Sequence, residues 1–305
     1  MTPTLPPYPS TRAGEYVLQP GNYRAFLPAP LPPMPPLQID DELTRLLSDA
    51  DRAVGRLDGI ASVLPNPDLF VAMYVRQEAV LSSQIEGTQS TLEDVLQFEI
   101  DAQGRGMPRD VAEVVNYVRA MNHGLERLTT LPLSLRLIRE IHGLLLEGVR
   151  GSQRTPGEFR KDQNWIGPAG CALPNATFVP PPVEAMHQAL SNLEAFLHND
   201  DAYPVLLHCG LVHAQFETVH PFMDGNGRMG RLLITFLLCQ RQVLVRPLLY
   251  LSSYLKTYRA EYYDRLMAVR NAGDWEGWLK FFLRGVRAVS DQATTTARAI
   301  VALRE

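Results

Sequence analysis

The chain has 305 residues, 46% of them apolar, with a formal net charge of −4 and an isoelectric point near 6.0. It is long enough to bury a large core in one large or two modest domains, and it lacks the general basic field that holds a protein to nucleic acid. Cys171, Cys209 and Cys239 have no metal-ligand or redox spacing, the longest strongly apolar run (Leu232 to Cys239) is too short for a bilayer, and the N-terminus has no signal pattern; the expectation is a soluble, cytoplasmic chain with no membrane partner.

Eleven of the 24 prolines lie in the first 36 residues, including Pro6-Pro7, Pro32-Pro33 and Pro35-Pro36. Such a segment cannot be helical, so residues 1–39 read as a Pro-rich extended arm that straps the fold or is disordered. From Asp40 the pattern turns helical, with Leu43, Leu46, Leu47 and Ala50 on one face. A second helical stretch puts Leu69, Met73 and Val80 on one face, extended by Leu81 and Ile85, and ends in Ser82-Ser83-Gln84-Ile85-Glu86-Gly87. Taken alone, Glu86 is a solvated residue at a helix end.

Between Arg154 and Pro182, short β-capable pieces alternate with turn residues, which predicts a hairpin inserted in a helical protein. Trp165 and Phe178 within it are open to two roles, anchoring the hairpin or touching a partner. Leu211, Val212, Phe216 and Val219 then follow at helical spacing. His208 and His213 lack zinc spacing and read as packed or hydrogen-bonded helix residues.

Residues 220–231 read His220-Pro221-Phe222-Met223-Asp224-Gly225-Asn226-Gly227-Arg228-Met229-Gly230-Arg231. Gly225 and Gly227 allow a sharp turn with exposed N–H groups ahead of a helix, an arrangement that binds phosphate. Arg228 and Arg231, three apart, can fork onto successive phosphates, as a di- or triphosphate requires. Asp224 offers the hard oxygen that Mg²⁺ prefers, and His220 can take a proton near neutral pH. The same letters contain G-x-G-x-x-G, but no Asp or Glu occurs between Gly225 and Ala260 and the preceding segment is helical, so a dinucleotide-binding reading fails on context.

This stretch resembles the HPFx[D/E]GNGRxxR signature of the Fic (Fido-fold) nucleotidyl transferases, with every fixed position filled. Ser82 to Gly87 is similar to the [S/T]xxxE[G/N] inhibitory motif of one class of that Fic/DOC family. The resemblance covers about residues 40–289. It implies a mainly α Fido-fold helical core with a small β-hairpin flap, preceded by a helical N-terminal region: residues 40–110 for the region with the inhibitory helix, 111–289 for the catalytic domain. Residues 290–305 read as the start of a C-terminal helical segment, open to being cut short.

The implied activity is transfer of AMP from ATP to a Ser, Thr or Tyr hydroxyl of a target protein. His220 would be the base and Asp224 the Mg²⁺ residue, with Mn²⁺ as an alternative ion. Residues 225–231, that is Gly225, Asn226, Gly227, Arg228, Met229, Gly230 and Arg231, would hold the phosphates, while Thr257 and Tyr262 are candidates beside the adenine. Glu86, with Ser82 one turn before it, would pair bidentately with Arg231 where the γ-phosphate must sit. The flap would align a segment of the target, and a homo-oligomer is compatible with the sequence. Three alternatives stay open: removal of AMP from a modified protein, transfer of another diphosphate-linked group, and an ATP-sensing interaction protein without catalysis.

Overall fold

The computed structural model describes residues 12–100, 109–168, 170–199 and 203–303. Two strands open it, β1 (Gly14–Gln19) and β2 (Tyr23–Pro28), paired antiparallel with Gly14 opposite Pro28 and Gln19 opposite Tyr23. The helices α1 (Asp41–Ala61), α2 (Pro67–Ile85), α3 (Leu92–Ile100), α4 (Arg109–Arg127) and α5 (Leu135–Leu145) follow. After an irregular segment with one 3₁₀ turn (Leu173–Asn175) come α6 (Val183–Leu197), α7 (Val205–Val219), α8 (Asn226–Gln240), α9 (Ser252–Thr257), α10 (Arg259–Ala272) and α11 (Trp275–Ala302).

Local chemistry sets several of the helix starts. Asp40 accepts the Leu43 N–H at 2.7 Å, Asn66 accepts that of Leu69 at 3.0 Å ahead of Pro67, and Asp274 accepts that of Gly277 at 3.0 Å. Each satisfies an N–H that the first turn leaves without a partner. Every residue from Leu206 to Val219 of α7 is buried, as is every residue from Arg228 to Leu238 of α8. Helices buried on all sides belong in the centre of a fold. These two form that centre, with α6, α10 and α11 packed on α7 and α2, α4 and α5 on α8, while α1 lies along α11.

The mainly helical expectation holds, with three differences of detail. Residues 14–28 of the proposed arm pair as strands, and among the described residues the stretch after them is the strap, latched where Arg12 donates to the carbonyls of Pro35 and Pro36 and to Glu276. Pro6-Pro7 and Arg304-Glu305 lie outside the described residues. Among its described residues the segment 154–182 is reduced to one bridged pair, Ile166 with Phe178, because Pro168, Pro174 and Pro180 to Pro182 cannot donate to a ladder. Finally, Leu69 is 59% exposed. The buried side of α2 carries Phe70, Val75 and Ala79 together with Glu78, Ser82 and Ser83, polar residues that an apolar pattern cannot select.

Candidate active site

The site lies where α7 gives way to α8. His220 caps α7 in the left-handed conformation (φ 49°, ψ 60°), its N–H bonded to the Phe216 carbonyl at 2.9 Å. This strained backbone is uncommon outside glycine and is held by its surroundings. Arg160 Nε and Asn164 Nδ2 donate to the His220 carbonyl at 3.1 and 3.2 Å. Burial, then the charges of Arg270 and Arg160, push the imidazole down to about 3, so the ring is neutral.

The turn after His220 is braced by side chains rather than left open. Asn226 accepts the Phe222 N–H at 2.8 Å and donates to the Phe222 carbonyl at 2.7 Å, so its amide closes the turn and does not face a ligand. His142 of α5 lies stacked on Phe222 at 3.6 Å. Its Nδ1 accepts the Gly157 N–H at 2.9 Å, which leaves Nε2–H to donate to the Asp224 carbonyl at 2.9 Å. Gly225, at φ 78°, is the N-cap of α8 and supplies the positive φ that starts the helix inside the motif.

Asp224 is half-buried, and its Oδ1 accepts the Gly225 N–H at 2.7 Å. No group of three or more His, Cys, Asp or Glu among the described residues is arranged to hold a metal ion. A single carboxylate fits a Mg²⁺ ion whose other ligands are phosphate oxygens and water.

A cavity of about 600 Å³ beside this turn is lined by His220, Gly227, Arg231, Glu217, Tyr262 and Arg270 among others, with Trp165 to Pro168 and Phe178 of the flap forming one wall. Inside it, Arg231 Nη2 donates to Glu86 Oε1 at 2.7 Å and to the Ser82 carbonyl at 2.9 Å, and Nε donates to Ser82 Oγ at 2.8 Å. The two motifs therefore meet, through one carboxylate hydrogen bond and not the bidentate pair expected, with Ser82 taking Nε and sharing Nη2. Burial works against both charges. For Glu86, the guanidiniums of Arg231 and Arg228 outweigh it and hold the carboxyl below its usual range.

Several predicted contacts fall elsewhere. Arg228 is 1% exposed and donates to Glu113 Oε2 of α4 at 3.0 Å, so its charge is spent on a buried pair and does not line the cavity. Met229 is buried in the core, and Gly230 is packed so that a methyl group there would stand 2.4 Å from Glu217 Oε1. Thr257 is exposed at the end of α9, bonds the Ser253 carbonyl and is not among the cavity-lining residues. Tyr262 does line the cavity, but its hydroxyl bonds His213 Nε2 at 2.9 Å, and His213 Nδ1 donates to the Gly230 carbonyl. Phe178 is an anchor, buried under Arg270 at 4.0 Å and beside Phe26, whereas Trp165 is 41% exposed at the rim. His142, Glu113, Arg160, Asn164, Glu217 and Arg270 were not predicted. Each reaches the motif from another element or lies outside its letters, so only their polar character in apolar surroundings could have signalled them.

A helical core around a braced HPF turn, with the arginine of the following helix met by a glutamate from an earlier one, defines a Fic-type site. The model described as Fic/DOC family N-terminal matches residues 44–126 and that described as Fic/DOC family matches residues 132–238. The chain belongs to the Fic/DOC family. It is 33% identical over 152 residues to the protein adenylyltransferase Fic of Aedes aegypti (49% of this chain, 27% of that one) and 28% identical over 179 residues to a probable protein adenylyltransferase of Aquifex aeolicus (57% and 51%). It thus spans about a quarter to a half of the length of these curated relatives. A Fic family protein from Desulfovibrio desulfuricans superposes with a TM-score of 0.70 at 25% identity, covering 86% of this chain and 76% of that one. Fic-1 from C. elegans has the same fold, with a TM-score of 0.56 at 20% identity over 86% and 76%. No helix among the described residues is long and apolar enough to cross a membrane.

Proposed function

We propose that this protein transfers AMP from ATP to a side-chain hydroxyl of a target protein and rests in a state locked by Glu86. The observation that carries the reading is one cavity holding a neutral imidazole, a glycine at a helix N-terminus and an arginine engaged by a removable carboxylate. His220 takes the proton of the target hydroxyl as its oxygen bonds to the α-phosphorus, and the bond from that phosphorus to the bridging oxygen breaks to release pyrophosphate. The backbone N–H groups at the start of α8 and the Arg231 guanidinium neutralise and orient the phosphates. Asp224 is the residue that would hold Mg²⁺, which when bound neutralises phosphate charge. With Glu86 on Arg231, the γ-phosphate lacks its partner and ATP is turned out of line. A cytoplasmic setting fits the three cysteines, all of them unbridged.

The test is incubation with cell extract and ATP labelled at the α- or the γ-phosphate. Protein labelled from the α-position alone is the expected result, and labelling from the γ-position alone would mean phosphorylation and end this reading. The half-buried Glu86 carboxylate, lining the same cavity as His220, also suits removal of AMP by orienting a water. Loss of AMP release from a modified protein on Glu86→Gly, without any gain in transfer, would favour that direction.

A further inference from the structure

Two arginines close on the end of α7 from different elements. Arg270 of α10 is 4% exposed; its Nε donates to Thr218 Oγ1 at 3.1 Å, its Nη2 to the Glu217 carbonyl at 3.0 Å, and its Cζ lies 4.0 Å over the Phe178 ring. Arg160, 1% exposed, donates from Nε to the His220 carbonyl at 3.1 Å, from Nη1 to the Asp162 carbonyl at 3.2 Å, and from Nη2 to the Pro181 carbonyl. Buried guanidiniums are normally matched by a carboxylate. Among the described residues neither has one at hydrogen-bonding distance; every oxygen they bond is a carbonyl or a hydroxyl.

His220 accepts from Arg160 through its carbonyl and lines one cavity with Arg270, and its Nδ1 is buried and has no hydrogen-bond partner. Protonation would make a third cation at the same helix end. The carboxylates around the cavity do not offset this, and Arg259 of α10 adds a further cation to its lining. Glu86 of α2 is bonded to Arg231 of α8 at 2.7 Å, and Glu217 of α7 is buried with Oε1 unpartnered, its carboxyl pushed up to about 7 by burial.

We propose that Arg270 and Arg160 are positioning residues that keep the His220 imidazole in its neutral, proton-accepting form by making the end of α7 electrostatically intolerant of a further positive charge. The inference rests on His220 being the base of the proposed transfer, but its readout is the titration of the ring and not the reaction. Anions that enter the cavity would relax this field, so the imidazole gains basicity only once phosphate is present.

The experiment is NMR of the full chain carrying labelled histidine, with the His220 signal identified by its loss in His220→Ala. The protein is titrated from pH 8 down to the lowest pH at which its near-ultraviolet circular dichroism stays native. In the parent, the His220 signal should not titrate over that range. Arg270→Gln keeps donors and removes charge, and should bring a His220 midpoint up into that range. Arg270→Lys keeps charge with altered geometry, and should leave the ring untitrated. Equal behaviour of the Gln and Lys variants would mean a structural role only and overturn the proposal. So would titration of the parent His220 near the ordinary value for histidine, a result that needs no variant to fold. Absence of AMP transfer from any of these proteins bears on the reaction assigned above and leaves this result standing.

Discussion

The carboxylate of Glu86 stands where a side chain at residue 227 would begin: a methyl group at Gly227 would lie 2.2 Å from Glu86 Oε1 and 3.1 Å from Arg231 Nη1. The glutamate thus fills the space that an anion at the start of α8 would occupy.

If that carboxylate is the lock, Glu86→Gly should raise self-modification and target modification together. One charge-assisted hydrogen bond in a shielded site corresponds to a gain of about ten- to a hundredfold. Glu86→Gly combined with Arg231→Ala should be inactive, because the freed arginine is what the triphosphate needs. Labelling from α-labelled ATP decides it, and an unchanged or lower rate in the single variant would remove Glu86 from the mechanism.

Gly227→Ala also displaces the carboxylate, yet it should not activate. Its methyl group occupies the position vacated, so ATP binding measured by calorimetry should weaken. Activation equal to that of Glu86→Gly would show that phosphate does not approach residue 227.

His220→Ala should abolish transfer while leaving ATP affinity within a few-fold, since loss of a general base costs about 10² to 10⁴ in rate. Transfer at the parental rate in this variant would exclude His220 as the base.

Asp224→Ala should lose most activity together with its dependence on Mg²⁺, because no second carboxylate in the motif can take its place. A Mg²⁺ titration of both proteins that gives the same curve would put the ion elsewhere.

Glu217 predicts a pH effect on stability. Burial raises its folded carboxyl from 4.5 to about 7, so the folded state binds a proton more tightly than the unfolded one. Its contribution is full below the unfolded value and is lost as pH rises through 7. Glu217→Gln should therefore match the parent near pH 5 and exceed it at pH 8 by about 1 to 3 kcal/mol in denaturant unfolding. A variant whose advantage does not grow with pH would show Glu217 to be ionised in the fold.

Of the contiguous letters, His220, Gly227 and Arg231 do come together at one cavity, as the turn and the helical spacing of the motif suggested, whereas Asn226 and Arg228 do not. The Arg231 to Glu86 contact came from a second motif and not from periodicity, which ranked Glu86 as solvated. What stayed hidden was the partner of each charged group. Arg228 reads like Arg231 in one dimension, and only α4 packing against α8 brings Glu113 to it. Asn226 reads as a ligand residue until its amide is seen on both backbone groups of Phe222. Thr257 failed for a simpler reason, since its place on a short helix left its direction undetermined. The paired strands were missed because the prolines on either side of Gly14–Gln19 set the reading of the whole segment, and that strand shows no strict alternation of its own.

β2 does more than pair with β1. The Phe26 N–H donates to the Val179 carbonyl at 2.9 Å, and Phe178 in turn exchanges backbone hydrogen bonds with Ile166. The wall of the cavity beside His220 is thus the far edge of a backbone network whose near edge begins at residue 14. A fragment trimmed to start at Asp40 would keep every motif residue and lose that support. It should still take up ATP, while presenting a loosened edge to any polypeptide that must lie along it.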